Sequence, residues 1–313
     1  EHKKKIINDT KIPLAGGFVF IIFFSFIQIH ENHILLFSTF SLYVVGLMSD
    51  LNILASPLKR IIVQSLIILF FILITDLSIE TLSWSFLDLL LNYKTFNVFF
   101  ILFCLLILVN GFNFLDGINT LVVSNFIICL LSIFYLSSKF ELTVNFLLLE
   151  NSLIVLLVIY IYNFWGKSFL GDSGTYAISF LVGIICIKFT HDNYQIISPY
   201  FVACLLWYPA FENLFSIIRR YLSQKKPSRA DSDHLHHFLY SYIKKTKYIK
   251  NNLFLNTFTG ILINVYLFAS SIFSIHNFNN TKILILIISI NIIVYLLLYY
   301  FLYKKIYSKI KFK

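Results

Sequence analysis

The chain has 313 residues, of which 58% are hydrophobic and only 13% are charged, and its formal net charge is +10. A soluble domain carries about twice that share of charged residues, and apolar runs long enough to cross roughly 30 Å of hydrocarbon recur throughout. The composition therefore excludes a soluble protein. It predicts an all-α, polytopic integral membrane protein with a single membrane-embedded domain over residues 1–313.

Ten apolar runs are predicted to span the membrane. In chain order they cover residues 14–29, 33–48, 60–76, 96–112, 119–137, 147–163, 174–190, 198–218, 253–273 and 283–303. Two connections between them are long, residues 77–95 and residues 219–250. The second of these carries the sequence HLHH and is predicted to be a cytoplasmic loop.

Basic residues predict the orientation of these spans. If the connections alternate between two sides, one side carries 21 of the 25 Lys and Arg residues. The other side carries only Lys94, Lys139, Lys188 and Lys282. Because cytoplasmic loops are enriched in Lys and Arg, the richer side is predicted to be cytoplasmic. The same charge favours contact with anionic inner-membrane lipids or phosphate substrates, whereas nucleic-acid binding is disfavoured because no soluble domain would carry it.

Four polar stretches fall on that predicted cytoplasmic side. They cover residues 46–60, 110–121, 163–176 and 219–240. Each alone has a structural explanation: a helix N-cap for Asp50, helix–helix hydrogen bonding for NGFN, a turn for GDSG, and topology for the basic cluster. Polar groups at membrane depth are costly, however, and usually line protein cavities. Their coincidence on one side therefore predicts a shared functional site.

The residue types in these stretches suit phosphate chemistry. Aspartates are hard oxygen ligands of the kind that Mg²⁺ takes, and Gly171 and Gly174 flank Asp172 so that backbone N–H groups could approach a phosphate closely. Arginine and lysine can pair with a pyrophosphate, and the HLHH histidines can hydrogen-bond a phosphate. A zinc-binding fragment is a weaker alternative, because no Cys or further His lies nearby.

Taken together, these motifs resemble those of the polyprenyl-phosphate N-acetylhexosamine-1-phosphate transferases, and the resemblance covers nearly the whole chain. The matching segments are HKKKIINDTKIPLAGG (2–17), SDLNILASPLKRIIVQ (49–64), NGFNFLDGINTL (110–121), GDSG (171–174), WYPAFENLFSIIRR (207–220) and DSDHLHHFLY (231–240). The H-x-H-H form is similar to the N-acetylglucosamine branch of the family. Family members begin with one further span, so the resemblance implies about eleven spans in a complete protein and an outer N-terminus.

The resemblance implies a reaction at the inner leaflet of the bacterial cytoplasmic membrane. Undecaprenyl phosphate would attack the sugar-linked phosphorus of a UDP-N-acetylhexosamine, releasing UMP and starting a lipid-linked cell-surface glycan. It also implies Mg²⁺, with Mn²⁺ as an alternative, to neutralise charge on the diphosphate. A homodimer is a further expectation from the family.

The resemblance also implies residue roles. Asp172 and Asn113 would bind the metal, Asp50 would deprotonate or orient the lipid phosphate, and Asp116 would help to organise the nucleotide site. The other predicted catalytic residues are His236 and His237, and the other predicted substrate-binding residues are Lys59, Arg60, Asn110, Asn163, Arg219, Arg220 and His234.

Two positions depart from the family pattern. Ser49 and Asn119 stand where the family usually has aspartates, which would remove two negative charges from the expected pocket. The alternative functions are therefore a catalytically altered or silent homologue that acts as an assembly partner, and a membrane transporter. The transporter is disfavoured because transporter sites lie near the bilayer midplane, whereas these residues gather at one predicted face.

Overall fold

The computed structural model describes residues 12–28, 32–223 and 233–307. Within these ranges the chain forms thirteen helices and no strand, which confirms the all-α prediction. The helices are α1 (Gly16–Gln28), α2 (His33–Asp50), α3 (Pro57–Thr75), α4 (Ser85–Leu91), α5 (Lys94–Leu115), α6 (Leu121–Phe140), α7 (Phe146–Phe164), α8 (Gly171–Asp192), α9 (Pro199–Leu205), α10 (Trp207–Leu222), α11 (Leu235–Thr246), α12 (Asn252–His276) and α13 (Thr281–Tyr307).

Eight of the described helices are long and apolar enough to cross a membrane. They are α2, α3, α5, α6, α7, α8, α12 and α13. Each overlaps one predicted span closely, so the prediction of a polytopic membrane protein is confirmed. The predicted span 14–29 falls on α1, whose 13 residues rise only about 20 Å at 1.5 Å per residue.

The predicted span 198–218 is not one continuous helix. The structure divides it into α9 and α10, which meet at Leu206 with a bend of 73°. Pro209 explains the break, because proline has no N–H and its ring clashes with the carbonyl four residues earlier. The sequence WYP carried this signal within an otherwise apolar run.

Two short helices lie inside the predicted long connections. α4 falls in the 77–95 segment, and α11 falls in the 219–250 segment, of which residues 224–232 lie outside the described ranges. The apolar residues of α11 recur at helical spacing and pack on the core: Leu235, Phe238, Leu239, Tyr242 and Ile243. The HLHH motif therefore lies at the start of an amphipathic helix, with His234 as the residue that precedes its first turn.

α8 is the central helix of the bundle and is buried along almost its whole length. It packs against α1, α2 and α5. A Cβ atom at Gly17 of α1 would lie 2.5 Å from the backbone nitrogen of Gly174, and one at Gly46 of α2 would collide with the backbone of Asp172 and Ser173. Small residues thus bring two helices into direct contact with the first turn of α8.

Candidate active site

Asp172, in the first turn of α8, is the centre of a polar cluster formed by four helices. Its Oδ1 atom accepts a hydrogen bond from Asn113 Nδ2 of α5 at 2.8 Å. Its Oδ2 atom accepts from Ser49 Oγ of α2 at 2.7 Å and from Arg60 Nη1 of α3 at 3.0 Å. The Asp172 side chain is 14% exposed. Two predicted site residues, Asn113 and Arg60, therefore both contact a third, Asp172.

Asp50 and Asp116 bind the amino terminus of α8 from two sides. Asp50 accepts hydrogen bonds from Asp172 N at 2.9 Å and from Ser173 N at 3.0 Å, and Asp116 accepts from Gly171 N at 3.1 Å. Carboxylates are favoured here because the unpaired N–H groups and the helix dipole make a helix start electropositive. We call Asp50, Asp116 and Asp172 the acidic cluster.

This arrangement corrects the expectation that GDSG backbone N–H groups would bind a phosphate. The first three N–H groups of α8 donate to Asp50 and Asp116, and the fourth, Gly174 N, donates to Leu170 O at 3.3 Å. Gly171 adopts φ +73°, and a Cβ there would lie 2.7 Å from Asp50 Oδ2. That glycine is required for conformation and for the close approach of a carboxylate.

The other two predicted asparagines contact protein groups outside the acidic cluster. Asn110 Nδ2 donates to Gln64 Oε1 at 3.1 Å and to Leu106 O of its own helix at 2.9 Å. Asn163 is buried, accepts from the backbone nitrogen of Thr120, and donates to the backbone oxygen of Ser168 at 2.8 Å. The side-chain oxygen of Asn163 thus fixes the loop between α5 and α6, and its side-chain nitrogen fixes the loop between α7 and α8.

The predicted basic residues occupy distinct positions. Lys59 is exposed beside Arg60 at the start of α3. Arg219 donates to Tyr299 Oη of α13 at 3.0 Å and to the backbone oxygen of Asp233. The guanidinium of Arg220 lies 5.6 Å from the centre of the Phe114 ring, at the end of α5. Arg219 therefore faces α13, whereas Arg220 faces the α5 end that carries Asn113.

The three HLHH histidines, which we call the histidine cluster, have different environments. His234 Nδ1 hydrogen-bonds Glu212 Oε1 at 2.9 Å. His236 is fully buried, and neither of its ring nitrogens has a hydrogen-bond partner among the described residues. Burial, together with the neighbouring rings of His237 and His234, lowers the pKa of His236 well below its ordinary value. His237 is half-buried, and its Nε2 would lie 3.3 Å from a Cβ placed at Gly117.

The end of α5 joins the two clusters. The Phe114 ring lies 5.4 Å from the His234 ring, centroid to centroid, and Gly117 adjoins His237. Asn113, the residue before Phe114, contacts Asp172. The structure therefore brings described residues from all four predicted polar stretches together at one end of the helix bundle. Phe114, Glu212 and Thr175, whose Oγ1 accepts a hydrogen bond from Asn113 Nδ2 at 3.2 Å, belong to this region and were not predicted. An acid within an apolar run, such as Glu212, is nevertheless a recognisable signal.

Asn119, one of the two departures from the family pattern, contacts α12 rather than the acidic cluster. Its side chain is fully buried, and its Nδ2 donates to Thr257 Oγ1 at 3.1 Å. A Cβ at Gly260 of α12 would collide with the Asn119 backbone oxygen. The residue therefore fixes the loop after α5 to α12.

The polar groups around Asp172 fit one kind of Mg²⁺ site. No group of three or more His, Cys, Asp or Glu side chains among the described residues forms a cluster able to hold a metal ion. Mg²⁺ sites often need only one or two carboxylates, with waters and substrate phosphates completing the octahedral shell. Asp172, partly exposed and beside the Asn113 amide, fits such a site, and the amide can present its oxygen after a 180° rotation.

Comparison with known sequences places the chain in a family. Residues 32–190, about half of the chain, match glycosyl transferase family 4, and the protein belongs to that family. The matched region runs from the start of α2 into α8 and includes the whole acidic cluster. The histidine cluster lies outside it.

The chain is also similar in sequence to a protein from Bacillus subtilis (strain 168). It is described as a probable undecaprenyl-phosphate N-acetylglucosaminyl 1-phosphate transferase, and it is 26% identical over 215 residues. The alignment covers 65% of this chain and 56% of the relative. The chain thus spans little more than half the length of this relative.

Proposed function

We propose that the protein transfers a sugar-1-phosphate, of the N-acetylhexosamine class, from a UDP-sugar to undecaprenyl phosphate and releases UMP. The observation that carries the proposal is the contact of Asp172 with Asn113, Ser49 and Arg60 at the end of a membrane-sized helix bundle. Membership of glycosyl transferase family 4 and the description of the Bacillus relative support it. The product would start a lipid-linked cell-surface glycan.

In this reaction an oxygen of the lipid phosphate forms a bond to the sugar-linked phosphorus of the donor. The bond from that phosphorus to the bridging oxygen breaks, and UMP leaves with the electron pair. Asp172 and Asn113 would hold Mg²⁺, or Mn²⁺, which when bound neutralises negative charge on the diphosphate. Positioning and electrostatics supply most of the catalysis in phosphoryl transfer, and the chain offers groups for both.

The geometry suggests how the other residues share this work. Asp50 uses both carboxylate oxygens to bind backbone N–H groups of α8, so we assign it first to holding Asp172 in place. Arg60 balances the charge of Asp172 at 3.0 Å. Arg220 and His237 lie on the α5 side of the histidine cluster, where they would contact the donor diphosphate.

The position of the site suits a lipid acceptor. Its residues lie at the ends of α2, α5 and α8, each long and apolar enough to cross a membrane. A polyprenyl tail could therefore stay in hydrocarbon while its phosphate reaches the polar end of the bundle. The excess of basic residues predicted for the cytoplasmic side supports our proposal that the site lies at that face of the bacterial cytoplasmic membrane.

The test is UMP release by purified protein supplied with undecaprenyl phosphate and a panel of UDP-N-acetyl sugars. We expect release with one donor in Mg²⁺ or Mn²⁺, and none in EDTA or without lipid phosphate. Lipid-independent hydrolysis would contradict the assigned acceptor. Absence of release with every donor would favour the silent homologue, and substrate movement across vesicles without UMP release would favour the transporter.

A further inference from the structure

Glu212 of α10 is a fully buried carboxylate with two specific partners. Its Oε1 atom lies 2.9 Å from His234 Nδ1, and its Oε2 atom accepts a hydrogen bond from Tyr295 Oη of α13 at 2.8 Å. Desolvating a carboxylate is costly, and a buried charged group often contributes no net stability over apolar residues of similar volume. The cost of Glu212 therefore points to a role other than stabilising the fold.

We propose that Glu212 is a positioning residue that holds His234 for phosphate chemistry; this inference rests on the proposed function. A carboxylate can only accept at this contact, so the hydrogen lies on His234 Nδ1 and the orientation of the ring is fixed. Nε2 is then the nitrogen available to a ligand. Carboxylates set the tautomer and orientation of metal-bound histidines in the same way.

Tyr295 extends this arrangement to the last helix. The hydroxyl groups of three tyrosines on one face of α13 bind the groups that hold His234: Tyr295 donates to Glu212, Tyr299 donates to the backbone oxygen of Asp233, and Tyr307 donates to the Asp233 carboxylate. Asp233 immediately precedes His234. α13 therefore fixes both the residue before His234 and the carboxylate behind it.

The chain also offers a matched control. Tyr208 is fully buried, and its ring centre lies 6.2 Å from that of Tyr295, yet its hydroxyl has no hydrogen-bond partner among the described residues. Tyr208→Phe and Tyr295→Phe each remove one buried hydroxyl from the same region. Only Tyr295→Phe removes a hydrogen bond to Glu212.

The kinetic test compares these variants with two substitutions of Glu212. Glu212→Gln can still accept from His234 and donate to Tyr295, but it lacks the charge, whereas Glu212→Leu loses both contacts. We expect kcat for UMP release to fall about 10-fold in Glu212→Gln and about 100-fold in Glu212→Leu, with KM within about twofold. Tyr295→Phe should lower kcat by a smaller factor, and Tyr208→Phe should leave it unchanged. Wild-type kcat in both Glu212 variants would overturn the proposal.

A spectroscopic test needs no substrate and separates this proposal from the proposed function. In ¹⁵N-histidine spectra of detergent-solubilised protein, His234, assigned with His234→Asn, should carry its hydrogen on Nδ1 in the wild type and in Glu212→Gln. The signal should change to the Nε2–H form or to a tautomer mixture in Glu212→Leu. An unchanged His234 signal in Glu212→Leu would refute the positioning role even if the enzyme is active. The expected change would support that role even if wild-type UMP release fails.

Discussion

The acidic cluster and the histidine cluster lie at the same end of the bundle but are held by different means. The acidic cluster is fixed by backbone: Asp50 and Asp116 bind the N–H groups of α8, and glycines bring α1 and α2 against the same turn. The histidine cluster is mounted on a short helix and held by side chains, through Glu212 and the tyrosines of α13. The sequence motifs thus contain the polar side chains of both clusters, but they do not contain the α13 tyrosines that support the second.

Asp172→Asn should have the largest effect on activity, because the variant loses the carboxylate that pairs with Arg60 and fits the metal. We expect UMP release to fall at least about 100-fold, the scale of removing one preorganised electrostatic group. Metal dependence should weaken as well.

The control is Asp192→Asn, the same substitution at the exposed far end of α8. It should retain wild-type activity. Equal losses in the two variants would show that the acidic cluster has no special part in the reaction.

Gly46→Ala tests whether backbone packing holds the acidic cluster. The new methyl group would collide with the backbone of Asp172 and Ser173, which cannot rotate away. We expect a loss of about 1–3 kcal/mol in the free energy of unfolding, the usual cost of overpacking, together with lower activity.

Gly183→Ala in the middle of α8 is the matched variant. Its Cβ would meet only side-chain ends, that of Leu105 at 2.6 Å and that of Leu108 at 3.5 Å, and these side chains can move. Thermal unfolding in detergent should show Gly46→Ala as the less stable variant, whereas similar stabilities would mean that α2 and α8 separate without cost.

The sequence predicts the positions of the long helices and of the polar site residues. It does not predict which helices lie at the centre of the bundle, for a physical reason. Apolar runs gave the positions of the long helices, and polar interruptions such as Asp116 and Asp172 marked the site. In a membrane, residues that face lipid and residues that face the core are equally apolar, so no pattern showed that α8 is central. The tyrosines of α13 resembled lipid-facing residues for the same reason, although Tyr295 and Tyr299 bind site groups.

His236 gives the histidine cluster a predicted pH dependence of stability. Its pKa is lowered in the folded protein by burial and by the neighbouring histidines, so it stays neutral where an unfolded chain takes up a proton, below about pH 6.5. The unfolded state then binds more protons, and stability should fall as the pH drops below that value, by at most about 1.4 kcal/mol per pH unit.

Thermal unfolding between pH 7.5 and pH 5 would measure this slope in wild type and in His236→Gln. The slope should be smaller in the variant. His33→Gln, at an exposed position at the start of α2, removes a histidine elsewhere and should keep the wild-type slope. Identical slopes in all three proteins would mean that His236 takes up its proton over the same pH range in the folded and unfolded states.

Ser49→Ala should have the smallest effect and bears on the silent-homologue alternative. Ser49 Oγ donates to Asp172 Oδ2 and accepts from Arg60 Nη1, but Arg60 also contacts Asp172 directly at 3.0 Å. Loss of one hydroxyl therefore leaves the ion pair in place, and we expect UMP release to fall less than about tenfold, within the value of one hydrogen bond to a charged group.

Ser49→Asp restores the acid usual in the family and is the informative partner. If the serine had silenced the enzyme, Ser49→Asp would raise activity strongly. We instead expect no large gain, because Asp50 and Asp116 already hold α8 and the second carboxylate would draw Arg60 away from Asp172.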